Sequence, residues 1–112
     1  MHEISLCQSV LRIIEQQAAQ QNFSRVKTVS LEVGRLSGVE PEALRFGFDA
    51  VMKDSIADGA ILEIIDVAAQ AVCSQCNNRV EVKQRFDACP KCGGVLTIEK
   101  GEELRIKELE VE

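Results

Sequence analysis

The stretch Cys73-Ser74-Gln75-Cys76, followed after twelve residues by Cys89-Pro90-Lys91-Cys92-Gly93-Gly94, is the most decisive part of the chain. A two-residue gap lets backbone amides wrap a thiolate pair into a tight knuckle, with both sulfurs on one side. Two such knuckles face to face supply four soft ligands in a tetrahedron, the closed coordination that zinc prefers in structural sites. Pro90, Gly93 and Gly94 suit the tight turn and the backbone reversal that must follow it. Structural zinc contributes about 10–16 kcal/mol, enough to dominate the stability of a module of about 30 residues. Four thiolates leave no open position for a water, so a metal held here is structural and not catalytic. The same geometry also suits a rubredoxin-like iron centre, which spacing does not distinguish from zinc. Two disulfides, or a redox-active Cys-x2-Cys pair, are weaker readings. Thiols stay reduced in the cytosol, and redox pairs sit singly at a strand-to-helix junction.

Composition changes around this module. Residues 71–102 hold four of the five cysteines, with five Lys/Arg against four Asp/Glu, while the remainder holds eight against fourteen. The flanking chain has ordinary amphipathic patterning. Over residues 4–21, Cys7, Leu11, Ile14 and Ala18 recur at helical spacing, with Leu6, Val10 and Ile13 broadening the stripe. Ser5 and Gln8 are placed to form a capping box at its start. Asn22 breaks this helix, and residues 26–33 alternate as a strand, with Val29, Leu31 and Val33 on one face and Ser30 and Glu32 on the other. Pro41 suits the first turn of a second helix whose buried face is Leu44, Phe48, Val51 and Met52. After an Asp58-Gly59 turn, residues 61–69 read as a second strand, apolar on both faces near Ile64 and Ile65. Residues 104–111 form a last strand in which Leu104 and Ile106 are out of phase with Leu109 and Val111, a pattern that predicts a bulge near Lys107. The expected fold is α+β. A two-helix, three-strand domain of residues 1–70 and 103–112 receives a zinc-ribbon-like module, residues 71–102, before its final strand.

Several function classes lose support on composition. The net charge is −5, and the module's Arg79, Lys83, Arg85 and Lys91 are interspersed with Glu81 and Asp87, with Phe86 as the one aromatic available for stacking. A nucleic-acid surface needs clustered cations and stacking platforms, so no nucleic-acid partner is expected. With one histidine, no phosphate-cradling glycine loop and no His-Glu pair at metalloprotease spacing, the chain is not expected to be an enzyme. No run approaches the roughly 20 apolar residues that span a bilayer, and no basic, apolar leader is visible. The expectation is a cytoplasmic protein with no membrane partner.

The single histidine is His2. A lone histidine is ordinarily a surface group or a satisfied core residue. At position 2, however, a free α-amine, the amide nitrogen between Met1 and His2, and the imidazole can close adjacent chelate rings around one metal. The Glu3 carboxylate or its amide can fill the fourth corner. Planar nitrogen and oxygen donors suit Ni(II) and Cu(II), and amide deprotonation makes such a site pH-dependent. Cys7, one turn beyond Glu3, sits amid Leu11 and Ile14 and reads as a buried free thiol.

The opening Met1-His2-Glu3-Ile4-Ser5-Leu6-Cys7-Gln8, the stretch Val29-Ser30-Leu31-Glu32-Val33-Gly34, Gly38-Val39-Glu40, Phe46-Gly47-Phe48 and the doubled Cys-x2-Cys together resemble the HypA/HybF family of hydrogenase maturation proteins. The resemblance runs in order along essentially the whole chain. It implies a small nickel-binding domain joined to a zinc domain, with Ni2+ as cargo and Zn2+ as structural cofactor. It implies His2 as nickel ligand with Glu3 assisting, and Cys73, Cys76, Cys89 and Cys92 as zinc ligands. It also implies two partners, a hydrogenase maturation GTPase and the large subunit of nickel-iron hydrogenase, with urease served by some members. Some members carry a histidine directly after each Cys-x2-Cys pair; here those positions are Asn77 and Gly93. The expected function is therefore nickel metallochaperone, a carrier of metal for protein maturation. The alternative is a zinc-ribbon adaptor that binds protein or nucleic acid. An exposed strand edge or a swapped segment offers a route to an isologous homodimer.

Overall fold

The computed structural model describes residues 3–84 and 87–112, so the expectations placed on His2, Arg85 and Phe86 lie outside the described residues. The elements run α1 (Glu3–Gln21), β1 (Val26–Gly34), α2 (Pro41–Met52), β2 (Ile61–Val67), β3 (Ala69–Cys73), β4 (Arg79–Val82), β5 (Leu96–Lys100) and β6 (Leu104–Val111). They form two three-stranded sheets, ordered β2-β1-β6 and β4-β3-β5. The chain divides into two compact units: Met1–Leu31, Val39–Ile65 and Arg105–Glu112 in one, Glu32–Gly38 and Asp66–Leu104 in the other.

In the first unit the helices pack through the stripes that helical periodicity selects. α1 buries Cys7, Val10 and Ile14, and α2 buries Leu44, Gly47, Phe48 and Met52. Gly47 permits close approach: a Cβ there would meet Ile4 Cγ1 at 3.3 Å and Cys7 Sγ at 3.6 Å. Val26, Val29 and Leu31 of β1 complete a core in which each is no more than 1% exposed. Ser30, on the opposite face of β1, is also buried at 3% exposure and is satisfied by donating to the Glu63 carboxylate at 3.3 Å. α2 starts as Pro41 at its first turn requires, with the Glu40 side chain accepting from the Glu42 amide as N-cap. Asn22 ends α1 in the left-handed region at φ 58°, its amide donating to the Ala18 carbonyl at 2.9 Å.

Three local expectations need correction. α1 begins at Glu3, so Ser5 and Gln8 lie inside it and form no capping box; the Ser5 carbonyl instead accepts from Ser9 Oγ at 3.1 Å. Ile13 is 44% exposed because it falls at the edge of the buried stripe. The expected strand 61–69 is two strands, interrupted at Ala68, with β2 joining one sheet and β3 the other.

In the second unit β3 is central and pairs antiparallel with both β4 and β5, so that Ala71 lies opposite Val80 on one side and Ile98 on the other. Its core is small: Leu36, Ala69, Ala71 and Val82, with Val80, Leu96 and Ile98 packed against them. Leu36 arrives from the turn after β1, held by its amide to the Gly101 carbonyl at 2.7 Å and by the Arg35 amide to Val67 at 2.9 Å. Arg35 forks to Asp66 and Glu81, each at 3.0 Å. The backbones here lie so close that a Cβ at Gly34 would collide with the Gly101 carbonyl, and one at Gly101, at φ 103°, with Ala69. Among the described residues no helix is long and apolar enough to cross a membrane, which says nothing about a β-barrel.

Candidate metal centre

The four cysteines of the doubled motif converge at the end of the second sheet. Cys73 is the last residue of β3, and Cys76 follows in the turn toward β4. Cys89 and Cys92 lie in the turn that precedes β5. Their sulfurs lie within 4.8 Å of one another. Cys73 and Cys92 are 3.3 Å apart, and Cys76 and Cys89 3.8 Å. All five cysteines of the chain are free thiols.

Each knuckle is built by the same backbone bonds. The Asn77 amide donates to the Cys73 carbonyl at 3.0 Å, as the Gly93 amide does to the Cys89 carbonyl at 2.7 Å. The Cys73 amide donates to Asn78 and the Cys89 amide to Gly94, both at 3.0 Å. Asn77 (φ 58°) and Gly93 (φ 74°) both take the left-handed conformation that reverses the chain after the second cysteine. This repetition gives a physical reason for Asn and Gly directly after the two pairs. Both types enter that region more readily than others.

The knuckles also set the charge. Amides of Gln75 and Cys76 point at Cys73 Sγ at 3.4 and 3.5 Å, and these donors pull the Cys73 thiol down to about 6. Cys89 is lowered in the same way by the amides of Cys92 and Lys91. Cys92 moves the other way, to about 12, chiefly through its hydrogen bond with Cys73. Asn78 Nδ2 donates to Cys76 Sγ at 3.3 Å. Cys73 and Cys89 are buried, Cys76 half-buried and Cys92 exposed. Four thiols at this spacing, with N–H donors already aimed at their sulfurs, fit a tetrahedral zinc site. Gly94 is the turn glycine that the sequence marks; Asn78 and Gln75 also belong to the site, and nothing in the sequence marked them.

At the start of the chain, Glu3 is half-buried, and its carboxylate accepts from the Glu40 amide at 3.3 Å. That bond ties the first turn of α1 to the N-cap of α2. Cys7 is fully buried, donates to the Leu44 carbonyl at 3.6 Å, and is pushed up to about 11 by burial first and the Glu3 charge second. It is a neutral core thiol. Ile4, Ala43 and Phe46 line a groove of about 520 Å³ with Glu3.

Fold and cysteine cluster together define a small α+β metal-binding protein with a zinc-ribbon-like cluster of four thiols. Residues 1–111 match the family described as hydrogenase/urease nickel incorporation, metallochaperone, hypA, and the chain belongs to that family. It is 57% identical to the hydrogenase maturation factor HypA of Alkalilimnicola ehrlichii and 55% identical to that of Rhodopseudomonas palustris, with all of both chains covered in each case. The fold is similar to the solution structure of the Ni metallochaperone HypA from Helicobacter pylori, with a TM-score of 0.75 and 24% identity over 99% of this chain and 97% of that one. Nickel metallochaperone and hydrogenase maturation factor are the roles this family carries.

Proposed function

We propose that this chain binds Ni(II) at its N-terminus through His2 and Glu3 and delivers it to the large subunit of nickel-iron hydrogenase, acting beside a maturation GTPase. Full-length membership in a nickel-incorporation family is the observation that carries the reading. Residues 1–70 and 103–112 would carry the nickel site, and residues 71–102 the zinc held by Cys73, Cys76, Cys89 and Cys92. Hardness separates the two ions: thiolates favour zinc, and nitrogen donors with a carboxylate favour Ni(II). A carrier must release its metal, and a chain-terminal site lets the receiving ligands approach from solvent. No step requires catalysis by this chain, so it is not an enzyme. Its reduced thiols suit the cytoplasm.

The nucleic-acid adaptor reading is weakened by how the second unit's cations are spent: Arg79 pairs with Glu99 at 3.0 Å, and Arg35 with two carboxylates. Calorimetric titration of Ni(II) into zinc-loaded protein with a native, untagged N-terminus tests the proposal. One nickel per chain is expected, and His2→Ala abolishes uptake while zinc content stays the same. Unchanged nickel uptake by His2→Ala in equilibrium dialysis removes the assignment.

A further inference from the structure

The two knuckles of the cysteine cluster repeat one another in their backbone bonds and part at one place. In the second knuckle the sulfur of the last cysteine, Cys92, receives the backbone amide of Gly94. In the first, the sulfur at the matching position, Cys76, receives Nδ2 of the Asn78 side chain at 3.3 Å. Asn78 follows Cys76 by two residues, as Gly94 follows Cys92. The other two sulfurs take backbone amides, Cys73 those of Gln75 and Cys76, and Cys89 those of Cys92 and Lys91. One corner of the cluster is thus served by a side chain that can rotate, while backbone fixed by the turns serves the rest.

Four thiolates around one zinc leave the site with net negative charge. An N–H aimed at a sulfur spreads that charge and makes the sulfur a poorer nucleophile. A metal-bound thiolate that loses its donor is the one that protons and electrophiles attack, because the thiolate is the reactive form. Cys76 is half-buried, so such reagents can reach it. The main-chain bond from the Cys73 amide to the Asn78 carbonyl, 3.0 Å, holds the turn without the Asn78 side chain. The carboxamide is therefore free to act on the sulfur and is not needed to shape the loop.

We propose that Asn78 is a positioning residue of the zinc site, its carboxamide shielding the Cys76 sulfur and so setting how fast the first knuckle opens and the metal is lost. This role rests on zinc occupying the four thiols.

The test uses the full chain, wild type and two variants that lack the donor but differ in bulk, Asn78→Leu and Asn78→Ala. Metal analysis first establishes one zinc per chain. Zinc release during reaction with iodoacetamide is then followed with a chromophoric chelator, and the alkylated cysteine is located by peptide mass spectrometry. In wild type the exposed Cys92 is expected to react first. In both variants release is expected to be about tenfold faster, the scale on which outer-shell contacts act, with Cys76 now the first site alkylated. With cobalt in place of zinc, the thiolate-to-metal charge-transfer band is expected to move to lower energy in both variants, because the Cys76 sulfur is richer in electrons. Release at the wild-type rate, a rise in alkylation shared evenly by all four cysteines, or an unmoved band overturns the proposal. A wild-type chain that holds no zinc overturns the metal assignment together with it.

Discussion

At Gly94 the cysteine cluster leaves little room for a side chain: a Cβ would lie 3.1 Å from Cys73 Sγ and 3.0 Å from Gln75 Oε1. Gly94→Ala is expected to displace the most buried thiol and to lower zinc affinity by about 10–100-fold, the range for disturbed outer-shell contacts; competition with a chromophoric chelator measures it. Gly47 poses a milder version of the same question. The nearest atom to its Cβ is the far end of Ile4, 3.3 Å away, which can yield. Gly47→Ala gains up to about 1 kcal/mol of helix propensity and is expected to be near neutral in urea unfolding. Gly47→Val adds methyl groups against Cys7 and Ile4 and is expected to destabilise by about 1–3 kcal/mol through overpacking. Equal effects of the two substitutions would show that propensity, and not the approach of the helices, governs this position.

Among the elements, the turn after β1 contributes a core residue to the second unit. Leu36 is 9% exposed and supplies the bulkiest side chain of a core otherwise made of two alanines and Val82. Leu36→Ala is expected to cost about 2–3 kcal/mol, the lower part of the range for buried leucines because so small a core can partly collapse. Gly101→Ala combines φ 103° with a collision against Ala69 and is expected to cost at least about 2 kcal/mol. Unfolding midpoints of the zinc-loaded protein check both. An effect confined to the first unit would contradict the packing of Leu36 on β3 and β4.

For the molecule as a whole, zinc binding and acidity are linked with a definite sign. The metal takes thiolates. Cys73, held at about 6, is charged at neutral pH and becomes protonated as pH falls through that value. Cys92, at about 12 before metal binds, must release its proton to bind zinc at any pH below that. Zinc affinity is therefore expected to rise with pH across neutrality and to be lost as pH falls through about 6, as read by chelator competition from about pH 5 to 8. Removal of zinc, by acid or by Cys76→Ser, is expected to erase amide protection over residues 71–102. Protection of α1, whose core of Cys7, Val10 and Ile14 contains no ligand of the cluster, is expected to change little. Collapse of protection in α1 on zinc removal would show instead that the two units unfold together.

Much of the fold was legible because it is written in short-range pattern. Helical spacing marked Cys7 and Ile14 and the Leu44–Met52 face, alternation marked Val29, Leu31 and Val33, and the doubled Cys-x2-Cys marked four thiols that do converge. Each of those signals acts within a few residues along the chain. What the tertiary structure alone decided depends on groups far apart in sequence. It joined Leu36 to Ala69 and Val82, aimed the Asn78 amide at the cluster, and split the strand at Ala68 between two sheets. No local periodicity encodes such contacts, because they exist only once distant backbone segments have been brought within a few ångströms of each other.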